Sequence, residues 1–225
     1  MRLILIRHGE SEGNASGVIQ GRMDFGLSPT GVRQAHATAA FLAEFEADRV
    51  VTSPLRRAAE TAGIIAGQLG HEPLPMPELM EYDIGHASGL TGAELRQRFP
   101  AVFAAAAAGN RPAFPGEEGR DHFAARLRKA LDDLAEAGGT TVAVAHGGVI
   151  SSLCHLVVGM DVNRPGAFHV ANCSLTEIVR DRAGRLVVAR HNDTCHLSGM
   201  VTFTDRGCFT ASSLPGPAIR GWYWR

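Results

Sequence analysis

The 225-residue chain lacks long apolar runs, paired-cysteine motifs and an excess of charge of either sign. No apolar stretch approaches the roughly 18 residues that a membrane-spanning helix needs, so we expect no membrane partner. The formal net charge is −1, which provides no overall field to attract nucleic acid or an anionic membrane surface. We therefore expect no nucleic-acid partner, and any strongly cationic site must be local.

The four cysteines form no C-x-x-C pair, and Arg7 interrupts the first apolar run before it reaches the length of a signal-peptide core. A reduced, cytoplasmic location is therefore the expectation. Hydrophobic residues make up 45% of the chain and charged residues 20%, which is the balance of an ordinary globular protein. A chain of this length can bury a full core, and we expect a single domain over residues 1–225.

The order of apolar patterns predicts an α/β fold. Strand patterns occupy residues 3–6, 49–52, 140–145, 175–179 and 186–189, the last two joined by a hairpin-like turn. Helix patterns occupy residues 28–46 and 53–70, each opened by a Ser-Pro cap signal, and residues 91–99, 104–108, 123–137 and 149–157. The proline-bearing stretch 71–81 is expected to be a loop. Strands that alternate with helices predict a three-layer sandwich, with a mostly parallel sheet between two layers of helices.

Unusual polar residues follow three of the predicted strands. Arg7 and His8 follow the first strand, Arg56 lies just beyond the second, and His146 follows the third. Ligands bind beyond the carboxyl ends of strands in an open α/β sheet, so these side chains are expected to meet in one crevice. Such a pocket suits a phosphoryl group, because arginine donates paired hydrogen bonds to phosphate oxygens and keeps its charge. Arg56 stands in a first helical turn, where the dipole disfavours a cation, so its position suggests a bound anion.

These residues are part of a longer series of motifs. In chain order the series is Arg7-His8-Gly9-Glu10-Ser11 with Asn14, Gln20-Gly21, Thr30-Gly31, Ser53-Pro54-Leu55-Arg56-Arg57-Ala58, Glu81, Pro115-Gly116, Val144-Ala145-His146-Gly147-Gly148 and Asn172-x-Ser174. Over about residues 1–197 it resembles the signature of the histidine phosphatase superfamily, the phosphoglycerate mutase-like proteins. The resemblance implies the phosphoglycerate mutase-like form of the α/β sandwich.

The resemblance also implies a mechanism and a set of site residues. His8 would be the nucleophile of a phosphatase for small-molecule phosphomonoesters, forming a phosphohistidine, and Glu81 would be the acid and base. The phosphoryl oxygens would be held by Arg7, Arg56 and His146. The pocket would also be lined by Asn14, Gln20, Gly21 and the amide of Gly147. Neither a metal ion nor a cofactor is implied, because the arginines supply the positive charge, and the expected partner is a small phosphate ester.

Two segments outside these motifs are expected to modify the site. Residues 82–137 are expected to form a lid that sets substrate specificity. The C-terminal tail, residues 198–225, ends in Trp222-Tyr223-Trp224-Arg225. The tail could be a disordered end, but three successive aromatic residues favour burial, either over the pocket or against a second copy in a homodimer.

Other functions compete with the phosphatase. A cofactor-dependent phosphoglycerate mutase would resemble the same family, but such mutases carry a longer insertion before the second histidine, whereas Glu81 and His146 are 65 positions apart here. The segment Gly9-Glu10-Ser11-Glu12-Gly13 also fits the nucleophile elbow of a serine esterase, with Ser11 as the nucleophile. In that fold several strands precede the elbow, and here one does. A phosphate-binding protein without activity is disfavoured, because all five residues to which the resemblance assigns a catalytic role are present: Arg7, His8, Arg56, Glu81 and His146.

Overall fold

The computed structural model describes residues 1–108, 110, 113–162, 167–198 and 200. Its strands are β1 (Arg2–Arg7), β2 (Arg49–Thr52), β3 (Pro73–Pro75), β4 (Thr140–Ala145), β5 (Leu175–Arg180) and β6 (Leu186–Asp193). They form a six-stranded sheet in the order β3-β2-β4-β1-β5-β6. The first four strands run parallel to one another, whereas β5 is antiparallel to both β1 and β6. This is the mostly parallel sheet with one antiparallel hairpin that the sequence predicts.

The helices are α1 (Glu12–Ala15), α2 (Pro29–Leu42), α3 (Arg56–Leu69), α4 (Gly92–Arg98), α5 (Pro100–Ala107), α6 (Arg120–Glu136) and α7 (Gly147–Val157). Short 3-10 turns lie at Pro77–Leu79, Gly85–Ala87 and Cys195–Leu197. Among the helices of the described ranges, none is long and apolar enough to cross a membrane. The tail aromatics at 222–224 lie outside the described residues, so their burial and the homodimer stay predictions.

Two apolar clusters lie on opposite faces of the sheet. Successive side chains of a strand point to opposite faces, so β1 contributes to both clusters. Leu3 and Leu5 pack in the cluster that α6 and α7 cover, and Ile4 and Ile6 pack in the cluster that α2 and α3 cover. All four side chains are fully buried, which contributes about 2 kcal/mol each. The helices on both faces confirm the predicted three-layer sandwich.

The register of the central strands decides which residues meet at the carboxyl edge of the sheet. Arg7 in β1 is the partner of Ala145 in β4, so His8 and His146 leave the sheet side by side. β2 pairs with the other side of β4, and this pairing brings Ser53 to the same edge. The crevice expected from the strand ends is therefore present.

Two predicted helix caps are confirmed by their hydrogen bonds. The hydroxyl of Ser28 accepts the N–H of Gly31 at the start of α2. Thr91 and Glu94 form a reciprocal capping box at the start of α4.

The predicted cap at Ser53 is wrong. α3 begins at Arg56 with Leu55 as its N-cap, and no side chain caps this helix end. The reason is tertiary, since the Ser53 hydroxyl lies 2.7 Å from a ring nitrogen of His146.

Several element boundaries also differ from the prediction. α2 ends at Leu42 rather than near residue 46, and α5 begins at Pro100. The stretch 71–81 contains strand β3 and a 3-10 turn, not loop alone. β3 pairs with β2 at the edge of the sheet. Proline is tolerated in an edge strand because an N–H on its outer side, which proline lacks, is not needed to bond another strand.

Candidate active site

His8 lies directly after β1 and is almost fully buried. Its Nδ1 is 2.7 Å from the carbonyl oxygen of Gly9. A carbonyl only accepts hydrogen bonds, so Nδ1 carries the proton and Nε2 keeps a free electron pair. The side-chain amide of Asn172 donates to the main-chain oxygen of His8 at 2.9 Å, which holds the backbone of the loop. The ring is therefore oriented with Nε2 as its nucleophilic atom.

The surroundings of His8 keep its imidazole neutral. Burial lowers the pKa of His8 well below its ordinary value, and the positive charges of Arg57 and Arg7 lower it further. A neutral ring at physiological pH is the form that can attack phosphorus, because protonation would occupy the electron pair of Nε2.

Arg57 is the guanidinium that reaches His8. Its Nε lies 3.3 Å from Nε2 of His8, and its two terminal nitrogens donate to the carbonyls of Met23 and Gly21 at 2.8 Å each. The residue is 1% exposed, and this burial lowers its pKa to about 10, so it remains charged at neutral pH. The hydroxyl of Thr61 accepts the N–H of Gly9 and donates to the carbonyl of Arg57, which ties the loop after β1 to α3.

Arg56 does not enter the site, contrary to the sequence prediction. Its side chain is 61% exposed and pairs with Glu60 at 2.7 Å on the surface of α3. The buried face of α3 includes Arg57, Ala58 and Thr61, and Arg56 lies about 100° away from Arg57 around the helix axis. The apolar residues Ala58, Ala62 and Ile65 lie nearly opposite Arg56 on the helix and closer to Arg57, and this pattern could have favoured Arg57.

His146 faces His8 across the crevice, with ring centroids 5.2 Å apart. The Ser53 hydroxyl accepts the N–H of Leu55 at 3.3 Å, so its own proton is free to point at Nε2 of His146. In the tautomer that accepts this proton at Nε2, Nδ1 carries the ring proton, and within the described ranges Nδ1 has no hydrogen-bond partner. Burial, and then the charge of Arg57, lowers the pKa of His146 well below its ordinary value. His146 is thus a neutral donor, and sequence reasoning missed that Ser53 orients it.

Arg7 is the last residue of β1 and is 7% exposed. One terminal nitrogen of its guanidinium donates to the carbonyl of Val170 at 2.6 Å. Its charge acts on both His8 and His146, since it lowers the pKa of each ring. The structure therefore brings Arg7, His8 and His146 together as the sequence predicts.

Glu81 approaches the same edge from the segment that follows β3. Its Oε2 accepts the N–H of Gly148 at 3.1 Å, and its Oε1 accepts the N–H of Tyr82 at 2.9 Å. Gly148 lies in the first turn of α7, where the helix dipole favours a carboxylate. The first residue of α7 is Gly147, which places its predicted amide directly after His146.

The other predicted lining residues, Asn14, Gln20 and Gly21, lie between β1 and α2, with Asn14 in α1. Asn14 accepts the N–H of Ser11 at 3.2 Å, and the Ser11 hydroxyl lies 2.8 Å from the side-chain oxygen of Gln20. Gly21 has a φ of +51°, and a Cβ there would lie 2.7 Å from the side chain of Ile84. A side chain at this position would clash with Ile84 and would be strained by the positive φ.

Ser11 does not have the surroundings of a serine nucleophile. It is fully buried and is the N-cap of α1, where its oxygen accepts the N–H of Asn14. Within the described ranges its hydroxyl bonds to Asn14 and Gln20, neither of which is a base that could activate it. The esterase alternative is therefore wrong on geometry.

Only part of the segment predicted as a lid lies near these loops. Ile84 and Ser88 contact the position of Gly21, and the backbone of Gly85 contacts that of Gly116. α6, by contrast, packs in the core beside α7. That the nearer stretches act as a lid stays a prediction.

The match to known proteins agrees with this geometry. The profile of the histidine phosphatase superfamily, branch 1, matches residues 3–194. The chain belongs to this superfamily. A Bacillus subtilis relative named "Uncharacterized phosphatase PhoE" is 31% identical over 199 residues, which are 88% of this chain and 97% of that protein. A Yersinia enterocolitica relative named "Probable phosphoglycerate mutase GpmB" is 31% identical over 208 residues, 88% of this chain and 95% of that one.

Solved structures in the superfamily share the fold. A mycobacterial glucosyl-3-phosphoglycerate phosphatase in complex with VO3 is 30% identical and superposes with a TM-score of 0.76, over 86% of this chain and 99% of that one. These matches confirm the predicted family, its α/β fold and the enzyme class.

Proposed function

We propose that this enzyme hydrolyses small-molecule phosphomonoesters through a phosphohistidine on His8, with Glu81 as the acid and base. The observation that carries the proposal is the hydrogen bond from Nδ1 of His8 to the Gly9 carbonyl. It leaves Nε2 unprotonated, so that Nε2 accepts the Nε–H of Arg57 at 3.3 Å, and we propose that the phosphoryl group of a substrate binds between these two side chains.

In the first step Nε2 of His8 attacks phosphorus, and the bond between phosphorus and the alcohol oxygen breaks. Glu81, in its protonated form, gives its proton to that departing oxygen. In the second step the Glu81 carboxylate takes a proton from water, and the water oxygen attacks phosphorus. The bond between phosphorus and nitrogen then breaks, which releases inorganic phosphate and restores neutral His8 and protonated Glu81.

The charge that develops on the phosphoryl oxygens is met by groups already in place. Arg7 and Arg57 supply two buried cations, and the Nδ1–H of His146 supplies a neutral donor. Groups fixed before the reaction stabilise the transition state without reorganisation. Because the guanidiniums provide the positive charge, we propose that the reaction is independent of metal ions.

A phosphoglycerate mutase is the second candidate, because the Yersinia enterocolitica relative is named as one. The phosphohistidine would then transfer its phosphoryl group to a hydroxyl group of a bound phosphoglycerate instead of to water. Incubation with 3-phosphoglycerate distinguishes the two, because a phosphatase releases inorganic phosphate and a mutase forms the 2-phospho isomer.

The test of the proposed chemistry is to trap the intermediate. Rapid quenching at alkaline pH during turnover of a radiolabelled phosphomonoester should yield a labelled protein whose label is acid-labile and maps to His8. The His8→Ala variant should stay folded, carry no label and show no turnover. Label on another residue, or near-wild-type turnover in His8→Ala, would contradict the proposal.

A further inference from the structure

The main-chain carbonyl of Glu81 is held independently of its carboxylate. Nε of Arg22 donates to this oxygen at 3.2 Å, and a terminal nitrogen of Arg126 donates to it at 3.1 Å. The other terminal nitrogen of Arg126 donates to the carbonyls of Glu78 and Met80 at 2.7 Å each. One guanidinium thus gathers three carbonyls of the segment that ends at the proposed acid and base.

Glu118 joins the two arginines. Its carboxylate is 6% exposed, lies 2.9 Å from Arg126 and also pairs with Arg22. The main-chain N–H of Glu118 donates to the carbonyl of Asp83 at 3.0 Å, and this hydrogen bond holds the backbone that carries the carboxylate. The Arg126 guanidinium lies over the ring of Phe123, which fixes its plane.

The charges of this cluster depend on one another. Burial lowers the pKa of Arg126, the nearby charge of Arg22 lowers it further, and Glu118 opposes both effects. Removing the Glu118 carboxylate would leave the guanidinium of Arg126, whose side chain is 11% exposed, beside the like charge of Arg22, which still pairs with Asp83 at 4.0 Å, so the two guanidiniums would move apart. Both guanidiniums donate to the Glu81 carbonyl. Their movement would therefore displace the main chain of Glu81, the proposed acid and base.

We propose that Arg22, Arg126 and Glu118 form a carbonyl clamp, a set of positioning residues that places the Glu81 carboxyl group against the leaving oxygen of the substrate. The clamp acts on the main chain, whereas the N–H of Gly148 orients the carboxylate itself. The proposal rests on the proposed role of Glu81 in proton transfer.

The test compares two substrates whose need for that proton differs. p-Nitrophenyl phosphate has a good leaving group and needs little protonation, whereas an alkyl phosphate needs it strongly. Glu118→Gln should lower kcat for the alkyl phosphate about 10- to 100-fold more than kcat for p-nitrophenyl phosphate, because small misplacements of a catalytic group are costly. Glu118→Asp keeps the charge and should restore part of the difference.

Two further variants separate positioning from general damage. Arg126→Lys keeps a cation but replaces two terminal nitrogens with one, which cannot hold three carbonyls and Glu118 together, so it should show the same selective loss as Glu118→Gln. Asp133→Asn makes the same carboxylate-to-amide change in an exposed ion pair with Lys129 on α6, and it should leave both rates unchanged. Thermal unfolding and vanadate affinity should show that each clamp variant is folded with an intact phosphoryl site.

The outcomes are distinct. Equal losses for both substrates, or no loss in folded Glu118→Gln and Arg126→Lys, would overturn the clamp while leaving Glu81 in its role. In the Glu81→Gln background, Glu118→Gln should add nothing to the ratio of the two rates, and an additional selective loss would also overturn it. If Glu81→Gln alone slows both substrates equally, the proposed role of Glu81 in proton transfer is contradicted, whatever the clamp variants show.

Discussion

The Nε of Arg57 lies 3.3 Å from Nε2 of His8, and this contact distinguishes Arg57 from its neighbour Arg56. Arg57 is buried against the proposed nucleophile, and Arg56 is on the surface with Glu60. Burial lowers the pKa of His8, the charge of Arg57 lowers it further, and the same contact places the reactive nitrogen beside a cation that could bind an anion.

The two arginines should differ sharply when each is replaced. We expect Arg57→Lys to lower kcat about 100- to 1000-fold, because one preorganised donor to the transition state is lost. Arg56→Lys serves as the matched control and should stay within about twofold of wild type, since exposed ion pairs contribute little. Steady-state kinetics with p-nitrophenyl phosphate measure both. Similar losses in the two variants would show that Arg57 is not the phosphoryl-binding cation.

Ser53 should matter through His146 rather than through the helix it precedes. Ser53→Ala removes the hydroxyl that orients the ring, and we expect kcat/KM to fall about tenfold, the equivalent of one hydrogen bond of about 1.4 kcal/mol. Ser28→Ala is the control, because Ser28 does cap a helix. That variant should lose about 1 kcal/mol of stability and keep its activity. An unchanged kcat/KM in Ser53→Ala would contradict the orienting role.

Replacement of Glu81 should depend on the leaving group. Glu81→Gln keeps the size of the side chain and removes its acid and base function. We expect kcat for an alkyl phosphate to fall about 100- to 10,000-fold, with a much smaller fall for the first step with p-nitrophenyl phosphate. Burst kinetics should then show phosphoenzyme accumulating with the latter substrate. Equal slowing of both substrates would argue against proton transfer by Glu81.

Stability should fall as the pH drops below the ordinary pKa of histidine. The pKa of His8 is lowered in the folded state, so the unfolded chain binds a proton at this site first. The stabilising contribution is present above about pH 6.5 and is lost as the pH falls towards the lowered value, by up to about 1.4 kcal/mol per pH unit. Denaturant unfolding at pH 7.5 and 5.5 measures this loss, and His8→Gln should reduce it. An identical pH dependence in wild type and His8→Gln would exclude the contribution.

Much of the site was predictable because its residues follow strands. Arg7, His8 and His146 come directly after apolar runs, and strand ends that belong to neighbouring parallel strands meet at one edge. The capping box at Thr91 was predictable for a related reason, since both partners lie within one helical turn. The assignment of Arg56 failed because its position in the first turn was weighed without the direction of its side chain around the helix.

The sequence by itself determined the family, the α/β order of elements, and the placement of His8 and His146 directly after neighbouring strands, because these depend on local pattern and motif spacing. The tertiary structure alone decided three things: that Ser53 bonds to His146 instead of capping α3, that Arg57 contacts His8, and that Glu118 joins Arg22 to Arg126 beside Glu81. Each is a contact between residues distant in the chain. Such contacts depend on strand register and helix rotation, which are set by packing of the whole core.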